Sequence, residues 1–162
     1  MQVYDYGQAK GQYFFVMELV DGTDLSIYVK EHGKLPIATA LDYCEQAVKA
    51  LKFAASHAII HRDVKPANLM LTRDGLLKVS DLGLAKKLTD DSEVTMTGVG
   101  MDSPHFLAPE QANDAAHVNH RADIYALGVT LLYLLTGKRP FEGASNFSVV
   151  LAHANKPLPT GI

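Results

Sequence analysis

The chain has 162 residues, 48% hydrophobic and 20% charged, with a formal net charge of -3. That apolar content can bury one real core and excludes a disordered or fibrous chain, while the small, dispersed charge argues against nucleic acid as a partner. Cys44 is the single cysteine, which excludes an internal disulfide and fits a reducing compartment.

The opening MQVYDYGQ lacks the layout of a secretory signal, and the longest apolar run, 124–135, is too short to cross a bilayer. The expectation is a soluble, cytoplasmic segment with no membrane contact of its own; any anchor of a full-length parent would lie elsewhere. Residues 2–7 and 12–17 are rich in Tyr, Phe and Val and flank the turn-prone QAKG, which predicts a hairpin. A lone hairpin is marginal in water, so partner strands are expected upstream. After Asp21-Gly22, Thr23 or Asp24 can cap a short helix to about Glu31, closed by His32-Gly33. Pro36 opens a long helix to about residue 57, along which Ile37, Leu41, Cys44, Val48, Leu51 and Ala55 recur at helical spacing. Residues 69–72 and 76–80 flank Arg73-Asp74-Gly75 as a second hairpin. From Thr89 to Gly100 the chain is polar and hydroxyl-rich without a period, which predicts a mobile surface loop. Residues 122–136 are apolar almost all round, which predicts a helix buried in the middle of a domain and ended by Gly137. The tail NKPLPTGI has no partner element, so the chain is expected to stop before its domain does.

Between the long helix and the second hairpin stands HRDVKPAN, residues 61–68. Asp63, Lys65 and Asn68 share this short loop, and Asp81-Leu82-Gly83 follows thirteen residues after Asn68, directly after a strand. Phosphoryl transfer needs little covalent chemistry from a protein, because positioning and charge stabilisation dominate. The loop carries a carboxylate to accept a hydroxyl proton, a cation for the migrating group and an oxygen ligand for Mg²⁺; Asp81 adds a second hard oxygen. Ala108-Pro109-Glu110 lies further on. The six specified positions of HRD-x-KP-x-N match by chance in only a few per million chains of this length, at about one in twenty per position.

These motifs resemble the catalytic loop, metal-binding motif and activation-segment end of eukaryotic-type serine/threonine protein kinases, over essentially the whole chain. KPANLML and the APEQ ending are most similar to bacterial members. The resemblance implies an α+β, protein kinase-like fold: an N-lobe hairpin remnant at 1–17, a hinge at 18–24 and a mainly helical C-lobe from 25 to 162, truncated at its end. It implies ATP and Mg²⁺ as cofactors and protein substrates as partners, and it allows a dimer in a full-length parent. By similarity, Asp63 is the catalytic base, Lys65 contacts the transferring phosphate, and Asn68 and Asp81 bind Mg²⁺. Backbone groups of Glu18 and Val20 would pair with adenine, Met17 would be the gatekeeper, Met70 the floor beneath the base, and Asp24 a neighbour of the ribose. Asp123 resembles the aspartate that hydrogen-bonds the catalytic-loop backbone, against a plain reading as an acid at a helix start. His61 and Leu82 resemble members of the apolar column that aligns the active state.

Arg62 is expected, on the same resemblance, to pair with a phosphate on the activation loop, with Thr95 and Thr97 first among the acceptors and Thr89 and Ser92 behind them. The implied regulation is autophosphorylation, against a loop that is merely solvated. Leu82 stands where the family usually has phenylalanine, and Asp102-Ser103-Pro104-His105-Phe106 where it has Gly-Thr-Pro-x-Tyr. Ser103 keeps a hydroxyl for Asp63 and Lys65, whereas Asp102 replaces a permissive glycine. No glycine-rich phosphate loop or strand lysine is in the sequence; Gly98-Val99-Gly100 follows no strand. His117 and His120 lack further ligands for a metal site and read as solvated. The competing functions are an ATP-dependent protein kinase, a pseudokinase or docking module, and a segment inactive in isolation because nothing roofs the triphosphate.

Overall fold

The structure, a computed structural model, describes residues 1–82, 103–113 and 118–158. Strands β1 (Val3–Ala9) and β2 (Gln12–Met17) form the expected antiparallel hairpin. Lys10 and Gly11 turn it with φ of 51° and 78°, the left-handed pair whose twist suits a two-residue loop. A second sheet has the order β3-β4-β5, from Gly22–Asp24, Leu69–Thr72 and Leu77–Val79.

The sequence pattern did not signal β3. It pairs with β4, which lies far along the chain, so no local period marks it. Gly22 is its one trace: a Cβ there would stand 2.0 Å from the Leu71 carbonyl oxygen, so only glycine admits this pairing. The β4–β5 turn closes as expected at Gly75, φ 84°, with Thr72 N–H donating to the Leu76 carbonyl at 2.9 Å.

The helices are α1 (Leu25–His32), α2 (Ile37–Ser56), α3 (Pro109–Asn113), α4 (Arg121–Thr136) and α5 (Asn146–Asn155), with 3₁₀ turns at Pro66–Asn68 and Ser103–His105. Asp24 is the α1 cap, its Oδ1 accepting the Ser26 and Ile27 N–H groups at 2.8 and 2.9 Å. Gly137 ends α4 in the left-handed conformation, donating to the Tyr133 carbonyl at 2.8 Å. Helix α5 went unread in the sequence, although Ser145 and Ser148 form a reciprocal cap at its start.

Leu25, Val29, Leu69 and Leu134 form the main core with α2 and β5. The buried stripe of α2 differs from the one its large apolar residues outline. Ala40, Cys44, Ala47 and Ala54 face inward, whereas Ile37 is 68%, Leu41 51% and Val48 50% exposed. Apolar spacing weighs large residues most, but α2 packs on α4 and β5, where alanines let the backbones approach closely. Helix α4 also departs from burial all round: Ile124 is 64% exposed and Gly128 is exposed, while Ala122, Ala126, Val129 and Leu134 face the interior.

Ala47→Leu is expected to destabilise the fold by about 1–3 kcal/mol through overpacking, and Leu41→Ala by less than about 0.5 kcal/mol; urea denaturation of both variants checks the face assignment. Burial pushes the Cys44 thiol up to about 11, so the folded chain holds this proton more tightly than the unfolded chain does. Its contribution to stability is complete below the ordinary thiol range and is lost as pH rises through that range towards 11. At pH 8, iodoacetamide is expected to label the native thiol at least ~10-fold more slowly than the urea-unfolded one, read by mass spectrometry.

Candidate active site

The loop after α2 is organised from below by one carboxylate. Asp123, in the first turn of α4 and 5% exposed, accepts the His61 N–H on Oδ2 at 2.9 Å and the Arg62 N–H on Oδ1 at 2.8 Å. Both of its oxygens thus serve this backbone, the role that the resemblance implied, rather than that of a solvated acid at a helix start. Arg62 is held at φ 67°, an unusual conformation for a side chain of its size. The His61 ring, buried to 1%, donates from Nε2 to the Ser80 carbonyl at 2.8 Å and accepts the Asp63 N–H on Nδ1 at 3.3 Å. Those partners select the tautomer with its hydrogen on Nε2 and pin the loop to the end of β5.

Lys65 is extended, as a residue before proline prefers, and Pro66 opens the 3₁₀ turn that carries Asn68 back towards Asp63. Asn68 Nδ2 donates to the Asp63 carbonyl at 2.7 Å and to its Oδ2 at 3.0 Å, and the Lys65 ammonium lies 2.7 Å from the same Oδ2. The Lys65 side chain is 15% exposed and that of Asp63 41%, so the cation is sheltered and the carboxylate opens to solvent. The Asn68 carbonyl in turn accepts from Ser80 N–H at 2.9 Å and Ser80 Oγ at 3.2 Å. Asp81 is the next residue, exposed and at φ 56°, and Leu82 packs against the main core.

Asp63, Lys65 and Asn68 are therefore in direct contact, and Asp81 stands one residue beyond the serine that ties β5 to the loop. The donor set fits a hard divalent cation: Asn68 spends its amide NH₂ on Asp63 and keeps Oδ1 as an acceptor, while Asp81 supplies a carboxylate. A shallow cleft beside Lys65 is lined by Ser26, Pro66, Phe106, Tyr133 and Arg139.

After β2, the Glu18 N–H donates to the Gln2 carbonyl at 2.9 Å. The Glu18 carboxylate pairs with Lys78 and accepts the Gln2 N–H at 3.3 Å. The Lys78 ammonium, with help from that N–H, holds the Glu18 carboxyl below the usual carboxylate range. Val20 is half-buried between Glu18 and β3. Met70 lies in mid-β4, paired with Asp24 on one side and Lys78 on the other. The Asp24 Oδ1 is engaged in capping α1.

Sequence reasoning missed Lys78 and Ser80. Their partners lie 60 and 12 residues away, and only the short β5 alternation singles out Lys78 as a less buried position between two buried ones. The Arg62 Nε is buried and has no hydrogen-bond partner among the described residues. Thr89, Ser92, Thr95, Thr97, Gly98–Gly100, Asp102 and His117 lie outside the described residues, as does the Ser103 hydroxyl; the Ser103 backbone opens a 3₁₀ turn.

The family model for the protein kinase domain matches residues 1–158. The chain is 39% identical to the serine/threonine-protein kinase PrkC of Bacillus subtilis over 99% of its own length and 24% of that protein's. It is 38% identical to a probable serine/threonine-protein kinase PknB of Lactococcus lactis over 96% of its length and 25% of the relative's. With the serine/threonine-protein kinase PknA of Mycobacterium tuberculosis it shares 40% identity, over 97% of this chain and 37% of that one. The chain thus spans well under half the length of these curated relatives.

Asp123→Ala strands one buried and one part-buried N–H donor and is expected to cost at least about 2 kcal/mol in urea denaturation, whereas Asp123→Asn keeps one acceptor oxygen and is expected to lose less.

Proposed function

The chain belongs to the protein kinase domain family, and we propose that the protein carrying it transfers the γ-phosphate of ATP to serine or threonine hydroxyls of protein substrates. The observation that carries this reading is the Asp63 carboxylate, held on one oxygen by Asn68 and Lys65, while Ser80, the residue before Asp81, bonds to the Asn68 carbonyl.

In this reading, Asp63 accepts the proton of the substrate hydroxyl as its oxygen bonds to the γ-phosphorus. The bond from that phosphorus to the bridging oxygen breaks, and ADP leaves with the electron pair. Asn68 keeps the carboxylate turned to the hydroxyl, and its two bonds to Asp63 limit the freedom that would otherwise be lost at each turnover. Lys65 supplies a sheltered positive charge for the migrating group; its side-chain burial strengthens that charge relative to a solvated ammonium. Mg²⁺, when bound, neutralises phosphate charge, and Asn68 Oδ1 and the Asp81 carboxylate are the residues that would hold it. Lysine two residues after the base and followed by proline, as at Lys65-Pro66, supports serine and threonine as acceptors.

The buried Nε of Arg62, without a hydrogen-bond partner among the described residues, supports a regulatory reading in which a phosphorylated hydroxyl, at Thr95 or Thr97, supplies an acceptor.

Asp63→Asn is expected to lower radiolabelled phosphate transfer from ATP to a protein substrate by about 10²–10⁴-fold, with the folding transition little changed. Transfer by Asp63→Asn at the rate of the unaltered protein would overturn the proposal.

A further inference from the structure

The φ of 67° at Arg62 raises the question of what holds that peptide unit in place. A left-handed backbone costs a non-glycine residue roughly 1–2 kcal/mol, so it persists only where its surroundings over-determine it. Asp123 accounts for the N–H side. The carbonyl side is held by a residue to which neither the motifs nor the mechanism assigns a role: Gln111, on α3, donates from Nε2 to the Arg62 carbonyl at 2.8 Å across 49 positions of sequence. The other end of the same amide, Oε1, accepts the N–H of Ala108, a fully buried residue, at 3.2 Å. The Gln111 N–H returns a bond to the Ala108 carbonyl at 3.0 Å.

One side chain therefore uses both halves of its amide to join two segments. The Oε1 bond alone closes the turn that starts α3, so a purely local role has no need of the Nε2 bond. That second bond ends on the residue immediately before Asp63. A carboxylate must be placed to within a fraction of an ångström for proton transfer, and rotation of the Arg62 peptide would turn Asp63 with it. Glutamate could keep the bond from Ala108 but could not donate to Arg62; asparagine is one methylene shorter.

We propose that Gln111 is a positioning residue: it clamps the Arg62 carbonyl opposite Asp123, holds Asp63 in register, and couples the Ala108–Gln111 turn to the catalytic loop. Its kinetic consequence rests on the kinase reading above; the clamp itself does not.

The test uses the full-length protein with Gln111→Met, which has no amide, and Gln111→Glu, which keeps only the acceptor. Both variants are expected to lower kcat for a peptide substrate by at least ~10-fold while the KM for ATP moves less than about twofold. In both, hydrogen exchange at the His61 and Arg62 amides is expected to accelerate by at least ~10-fold, although neither amide touches Gln111. A Gln111→Glu protein matching the unaltered one in both kcat and exchange would leave Gln111 a local helix closure and overturn the proposal. Should Gln111→Met fail to fold, Gln111→Glu decides alone. If the unaltered protein transfers no phosphate, the kinase reading fails, and unchanged exchange at His61 and Arg62 then overturns the clamp separately.

Discussion

Two hydrogen bonds from the His61 and Arg62 amides to the buried carboxylate of Asp123 are the constraint on which the site depends. A loop leaving a long helix has no ladder of its own to satisfy its backbone, and in a closed interior each unpaired N–H is costly. By taking both donors on one side chain, Asp123 turns the N-terminal turn of α4 into the floor of the loop. Because α4 is packed against α2 and shares one core with the small sheet, the rigidity of the core passes directly to the residues that follow Arg62.

Everything above that floor is a matter of exchange between short polar groups. His61 reaches Ser80, Ser80 reaches Asn68, and Asn68 returns to Asp63. The cycle links the end of β5 to both ends of the loop, so the segment that leads into Asp81 and the loop that carries Asp63 form one unit rather than two independent segments. The chemistry proposed needs that unity: phosphoryl transfer asks for charges of both signs around one group, and charges that move independently lose the benefit of preorganisation.

The elements with strong local signals were legible. The hairpin at Lys10-Gly11, the Asp24 cap, the α2 span, the β4–β5 turn and the Gly137 stop each follow from turn chemistry or capping within a few residues. The motif residues Asp63, Lys65, Asn68 and Asp81 stood out for another reason, since their spacing matches a family motif rather than a folding signal, and the structure brings Asp63, Lys65 and Asn68 into contact. What escaped was non-local. Strand β3 exists because β4 lies beside it; α2 buries alanines because α4 comes close; Lys78 matters because Glu18 faces it; and Gln111 has no local mark at all beyond following Ala108-Pro109-Glu110.

By itself, then, the sequence determined which side chains were available for the proposed reaction and how the helices and turns that carry them begin and end, because capping, turn dihedrals and residue chemistry act over a few positions. Tertiary structure alone decided which face of each helix is buried, which strand pairs with which, and how Asp123 and Gln111 hold the two sides of Arg62. Those choices depend on contacts between residues dozens of positions apart, where shape and distance leave no periodic trace in the chain.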